Sequence, residues 1–429
     1  MKEDLLQFIW QHSLYRPGSL QTTAGELVTV VHPGVLNRHS GPDFSAAKIR
    51  IGDTLLAGAV EMHLRSSDWI KHDHSTDEAY KSVILHVVLE DDVPDAAPGV
   101  PVLVLRPHIP EEVACKYADL LGTVASLPCA HQHQQVSEII KSSWLTRMLS
   151  QRWERRFAEY EVRLDALHGD FSGLLYERLA AGMGFKVNAA PFEHLARQTP
   201  LSILIKNRDS LPRLEALLFG QSGLLPDDGT DPYVQTLRAE YGYLQHKYSL
   251  QPLAAHEWKF LRMRPANFPT IRLAQLASLL HRLGDRLSSL LDIADAKEAV
   301  AQLQVPVSDF WHSHSTFKEG KTHDPQEKTL GKSSAENLVV NVLAPLKYLR
   351  AAHSGNAAER EKAEAFLDSL PPEQNSLIAH FTSTGWKPRN ASEAQGMLEL
   401  YNHYCSQKDC LNCAVGLKIL RNAVPATVK

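Results

Sequence analysis

Apolar and polar residues change their period once along this chain. In "FSAAKIRIGD" (44–53), Ala47, Ile49 and Ile51 point one way and Lys48 and Arg50 the other, the two-residue period of a strand. Gly52-Asp53 turns the chain, and "TLLAGAVEMHLR" (54–65) returns with Val60, Met62 and Leu64 alternating against Glu61, His63 and Arg65. "GELVTVVHPG" (25–34), "VILHVVLE" (83–90) and "VPVLVLRP" (100–107) read as further strands. "EDLLQFIWQH" (3–12) spaces Leu5, Leu6, Ile9 and Trp10 as a helix, and "STDEAYKS" (75–82) predicts a short helix capped by Ser75 or Thr76.

From about Ser142 the period becomes helical. "SSWLTRMLSQRWERRFAEYEVRLDAL" carries Trp144, Met148, Trp153, Phe157, Tyr160 and Leu164 at three- and four-residue steps. Residues 272–303 and 334–352 repeat that character, and few strand signals follow residue 140. The polar stretch 312–333 reads as a loop or mobile segment. The expected fold class is α+β: a mixed β-sheet module over 1–135, a large mainly α-helical domain over 136–400, and a cysteine-containing segment over 401–429.

Composition adds exclusions. With 429 residues the chain exceeds one ordinary core, and 44% hydrophobic with 22% charged residues is ordinary for a globular protein. The apolar runs are too short to span a bilayer, and the N-terminus lacks a signal-peptide core, so no membrane association and a cytoplasmic location are expected. The net charge of −4 argues against a wholesale nucleic-acid binder but not against a local basic face.

The chemistry concentrates in 41–86. Strand alternation puts Glu61 and His63 on one face, and Asp43 opens the preceding strand after Gly41-Pro42. A carboxylate at a strand start, a hairpin, then Glu-x-His resembles the PD-(D/E)xK nuclease core, with histidine in place of the family's lysine. That resemblance implies Mg²⁺ or Mn²⁺ held by Asp43 and Glu61, His63 near the attacking water, and DNA or RNA as substrate. The two carboxylates are expected to converge at one sheet edge. Arg65, Ser67, Asp68, His72, His74, Asp77 and Tyr80 are candidate substrate-binding residues around them. A second reading takes His63, His72, His74, Asp77 and His86 as a transition-metal site; the alternative makes His72 and His74 exposed loop residues and His86 a hydrogen-bonded strand histidine.

Two later motifs add candidates. In "RMRPANFPTIRLAQLA" (262–277), Thr270 is the expected helix cap. Arg264 and Arg272 could meet a phosphate or carboxylate, or else pin the loop to neighbouring acids. In "YCSQKDCLNCAVG" (404–416), Cys405, Cys410 and Cys413 have the spacing of zinc or iron–sulfur ligands, and Cys129 in "SLPCAHQH" is the first choice for a fourth, with His131 or His403 behind it. The odd cysteine count of five argues against a disulfide framework. Residues 32–88, 262–277 and 404–416 together resemble domain-of-unknown-function family 2851, which implies a bacterial protein and brings no activity with it. Two functions stay open: a metal-dependent, nuclease-like phosphodiester hydrolase, or a non-catalytic binding or scaffold protein with a structural metal staple.

Overall fold

The computed structural model describes residues 1–16, 18, 20–123, 127–318 and 324–424. Part of the 312–333 stretch, residues 319–323, lies outside them, as does the end of the C-terminal segment. The chain is α+β and forms two compact units. One holds 1–144, 379–387 and 398–429; the other holds 145–378 and 388–397.

The first unit is built on a mixed sheet. Helix α1 (Glu3–Gln11) leads into strands β1 (Val28–His32), β2 (Val35–Leu36), β3 (Phe44–Ile51) and β4 (Thr54–Arg65). A short helix α2 (Asp68–Lys71) and a single turn at Glu78–Ser82 lead to β5 (Val83–Glu90), β6 (Val102–Val104) and helix α3 (Glu111–Gly122). The strand order is β1-β3-β4-β5-β6, with β2 also pairing β3. β3 and β4 form the expected antiparallel hairpin, but β5 joins β4 in parallel. A parallel pair needs a crossover, and here residues 66–82 supply it.

That crossover corrects two expectations. Asp43 and Glu61 come together between central strands, because β5 extends the sheet beyond β4. The turn before β5 is capped by Asp77, whose carboxylate accepts from the Ala79 amide at 2.8 Å, and not by Ser75 or Thr76. Gly58 makes the start of β5 fit: a Cβ there would stand 2.5 Å from Ile84 Cγ2 and 2.6 Å from the Ser82 carbonyl oxygen. Both faces of β4 are covered over Ala59–His63, so polar Glu61 and His63 are as buried as Val60 and Met62. Near the start of β3, pairing shifts by one residue between Phe44↔Val60 and Ala47↔Gly58. Ala46 takes φ 53° inside this bulge, a device that re-aims side chains beside functional sites.

The second unit is helical and encloses its own core, with Leu174, Phe192, Phe219, Leu279, Trp311 and Leu346 fully enclosed. Its helix Pro269–Leu283 starts after Phe268 without a side-chain cap. Thr270 instead donates its hydroxyl to the Ser315 carbonyl at 2.5 Å. Arg272 is turned inward, 3% exposed. Its guanidinium donates to Gln275 Oε1 (2.9 Å), Asn267 Oδ1 (2.7 Å) and Ser334 Oγ (3.0 Å) and stacks on Phe185. These partners are neutral, not the neighbouring acids one reading expected. Burial lowers Arg272 to about 10. Arg264 is exposed just before that helix.

Candidate metal centre

Three elements of the first unit meet at Glu61. β4 contributes Glu61 and His63 on one face, β5 sets His86 in register beside Glu61, and the crossover lays His72 and His74 over them. Glu61 Oε1 lies 3.4 Å from His63 Nε2 and 3.4 Å from His74 Nε2. His63 uses its other nitrogen, Nδ1, to meet His86 Nε2 at 3.0 Å. Donor nitrogens of His63, His72 and His74 lie within 4.8 Å of one another, and no other such trio of metal-ligating side chains occurs among the described residues.

The cluster is dry except at one corner. Glu61, His63, His74 and His86 are all buried, while His72 is exposed. His74 is sandwiched by aromatic neighbours: Tyr80 stacks on it at 3.7 Å, and Trp69 meets it edge-on at 5.4 Å. Trp69 is itself pinned through its indole N–H to Ser75 Oγ (3.1 Å). Yet His74 Nε2 and His86 Nδ1 are buried without a hydrogen-bond partner, a state that structures rarely tolerate without a reason.

Carboxylates gather on the other side. The Asp43 amide donates to Glu61 Oε2 (3.0 Å), and the Asp43 carboxylate accepts from the Met62 amide (3.1 Å) and from Gln7 Nε2 (2.9 Å). Gln7 sits one helical turn after Glu3 on α1, and Glu3 faces Asp43 closely enough for the two charges to oppose each other. Burial, then the charge of Asp43, raises the Glu61 carboxyl to about 8. Burial raises Asp43 to about 6 and Glu3 to about 7, the latter also by Asp43 and Asp68. Burial, then the charges of His86, His74 and His72, lowers His63 to about 3; burial, then His74, lowers His86 to about 4. The buried imidazoles are therefore neutral, the form in which histidine ligates metals.

The His63, His72 and His74 nitrogens form the donor group, and Glu61 stands beside it, outside the set that closes within 4.8 Å. Sequence reasoning reached His63, His72 and His74 as ligands in one of its two readings, and it missed Glu3 and Gln7. Their spacing of four on an amphipathic helix was the available signal.

Other candidates fall elsewhere. Asp77 is exposed and spent on its cap. Asp68 accepts from the Arg65 amide (3.2 Å) and from Lys71 Nζ (2.6 Å), shaping the turn after β4. Ser67 donates to Asp92 at 2.8 Å. Arg65 is exposed and, two residues after His63, lies on the same strand face.

The fold and the site together define a class: an α+β protein whose mixed sheet buries a histidine–carboxylate cluster beneath a crossover loop. Residues 3–376 match the family described as Protein of unknown function (DUF2851), and the chain belongs to it. The match ends short of the cysteine motif at 404–416. No curated protein and no solved structure matches the chain.

Proposed function

We propose that this protein is a metal-dependent, nuclease-like phosphodiester hydrolase whose metal is held by His63, His72 and His74, with Glu61 beside them. The observation that carries the reading is the meeting of three histidine nitrogens within 4.8 Å at a buried carboxylate. An imidazole-rich donor set suits zinc and its first-row neighbours better than magnesium. Such an ion supplies an activated water and offsets phosphoryl charge. His72, the exposed donor, is the corner that can give way to water or substrate. Asp43 acts as a positioning residue: its amide holds Glu61 Oε2, and its carboxylate is tied to Gln7 and Met62. Tyr80 keeps the His74 ring in place by stacking. Arg65, exposed on the face of Glu61 and His63, is placed to receive a phosphate oxygen.

A phosphodiester substrate is supported by the order of the pieces: acid at a strand start, hairpin, Glu-x-His, as in the PD-(D/E)xK pattern. The test incubates purified protein with end-labelled single- and double-stranded DNA and with RNA, in Zn²⁺, Mn²⁺ or Mg²⁺. Cleavage lost in His74→Ala and Glu61→Gln supports the proposal. Metal-loaded protein that cuts none of these substrates would remove it and leave the scaffold reading.

A further inference from the structure

A second cluster of ligating side chains lies in the first unit, away from any role in the histidine centre. Cys129, in the segment after α3, and Cys405, Cys410 and Cys413, near the C-terminus, all line one small cavity, closed by Leu120, Tyr404 and Gly416. All four are buried free thiols. Each of Cys129 and Cys405 stands close enough to Cys410 and Cys413 for their charges to oppose one another. The fifth cysteine, Cys115, is exposed on α3 and takes no part.

Local structure is arranged around the sulfurs. A single turn at Cys410–Asn412 brings Cys410 and Cys413 onto one side, and Cys405 ends the preceding helical segment Tyr401–Cys405. The Val415 and Gly416 amides donate toward the Cys413 sulfur, and the half-buried Trp144 turns its indole N–H, out of solvent, toward it. Amide donors of this kind tune metal-bound thiolates. Gly416 has no room for a side chain: a Cβ would lie 2.1 Å from the Cys410 carbonyl oxygen. Of the other residues considered as a fourth ligand, His131 is exposed and His403 faces Glu399 at 3.7 Å.

Four buried thiols with no disulfide, drawn from distant parts of the sequence to one cavity, are a ligand set. The spacing says for what. One zinc ion with bonds of about 2.3 Å holds its four sulfurs about 3.8 Å apart. No three of these sulfurs lie within 4.8 Å of one another, although all four residues are described. A centre of several irons, each bonded to one thiolate, spans the wider gap. We propose that Cys129, Cys405, Cys410 and Cys413 hold an iron–sulfur cluster. It fixes the C-terminal segment to the segment after α3 and stands apart from hydrolysis, so the two proposals can fail separately.

The full chain purified without oxygen and without chelators tests this directly. The expected result is iron and acid-labile sulfide in equal amounts, with a broad visible absorption bleached by dithionite. Cys413→Ser and Cys129→Ser should lose most of that absorption per chain, and Cys115→Ser should keep it. Should the serine variants fail to fold, alkylation of the intact wild-type protein serves instead: Cys115 reacts, and the other four react only after the iron is chelated. Zinc without iron or sulfide, or four buried thiols that carry no metal, would overturn the proposal.

Discussion

Replacing His86 should weaken metal binding without touching a ligand. His63 turns Nε2 toward Glu61 and meets His86 Nε2 through Nδ1, at 3.0 Å and fully out of solvent. A metal on His63 Nε2 requires the proton on Nδ1, with His86 as its acceptor. In His86→Leu that N–H has no acceptor, and a buried hydrogen bond left unmade costs about 1–3 kcal/mol. The free protein avoids part of this by shifting the His63 proton to Nε2, beside Glu61 Oε1; the loaded protein has no such choice. The affinity should therefore fall about 10–100-fold, the range found when a metal ligand loses its orienting partner, or ~1.4–2.7 kcal/mol. His86→Gln offers a carbonyl acceptor and should recover much of the loss. Competition with a chromophoric zinc chelator measures the constants, and circular dichroism checks the fold. Equal affinities for wild type and a folded His86→Leu would refute the reasoning and leave His86 as packing for Trp69, 5.0 Å away.

Three further outcomes follow from the same structure. Asp43→Asn keeps an oxygen for the Met62 amide and, with the Gln7 amide turned to offer its own oxygen, an N–H for Gln7, and should bind zinc nearly as well as wild type, whereas Glu61→Gln should lose at least tenfold by the same competition assay; the reverse order would restore the two-carboxylate magnesium reading. Gly58→Ala forces a methyl group against Ile84 and Ser82 and should cost about 1–3 kcal/mol in urea denaturation, with no change if β5 can yield. Glu215, fully buried in the helical unit, accepts from Ser308 Oγ at 2.6 Å and from the Tyr233 hydroxyl, and burial outweighs both to raise it from 4.5 to about 7. The folded state holds that proton more tightly, so its stabilisation is whole below about pH 4.5 and is lost as pH rises through about 7. Glu215→Gln should match wild type at low pH and exceed it by about 3 kcal/mol above about pH 8; parallel pH profiles would contradict this.

Much of the first unit was legible in period-two alternation. Ile49 and Ile51 against Lys48 and Arg50, and the Gly52-Asp53 turn, marked the β3–β4 hairpin, which placed Asp43 near Glu61. Alternation could not show that β4 is covered on both faces, because Glu61, His63 and Arg65 look like a solvated edge. Nor could it show the parallel pairing of β5, which alone decides that His72 and His74 fold back over β4. Histidines in a loop carry no period, so their geometry waited for the crossover. Glu3 and Gln7 are far from Glu61 in sequence and reach it only by the packing of α1 on β4. Cys129 was placed beside the C-terminal trio from ligand count; the spread of the sulfurs around their cavity has no counterpart in sequence spacing.

The most direct test is an anomalous difference map from crystals of the protein soaked with Zn²⁺ or Mn²⁺. The account predicts one strong peak among His63, His72 and His74, beside Glu61. A peak instead between Asp43 and Glu3, or none at the histidines under either metal, would contradict it.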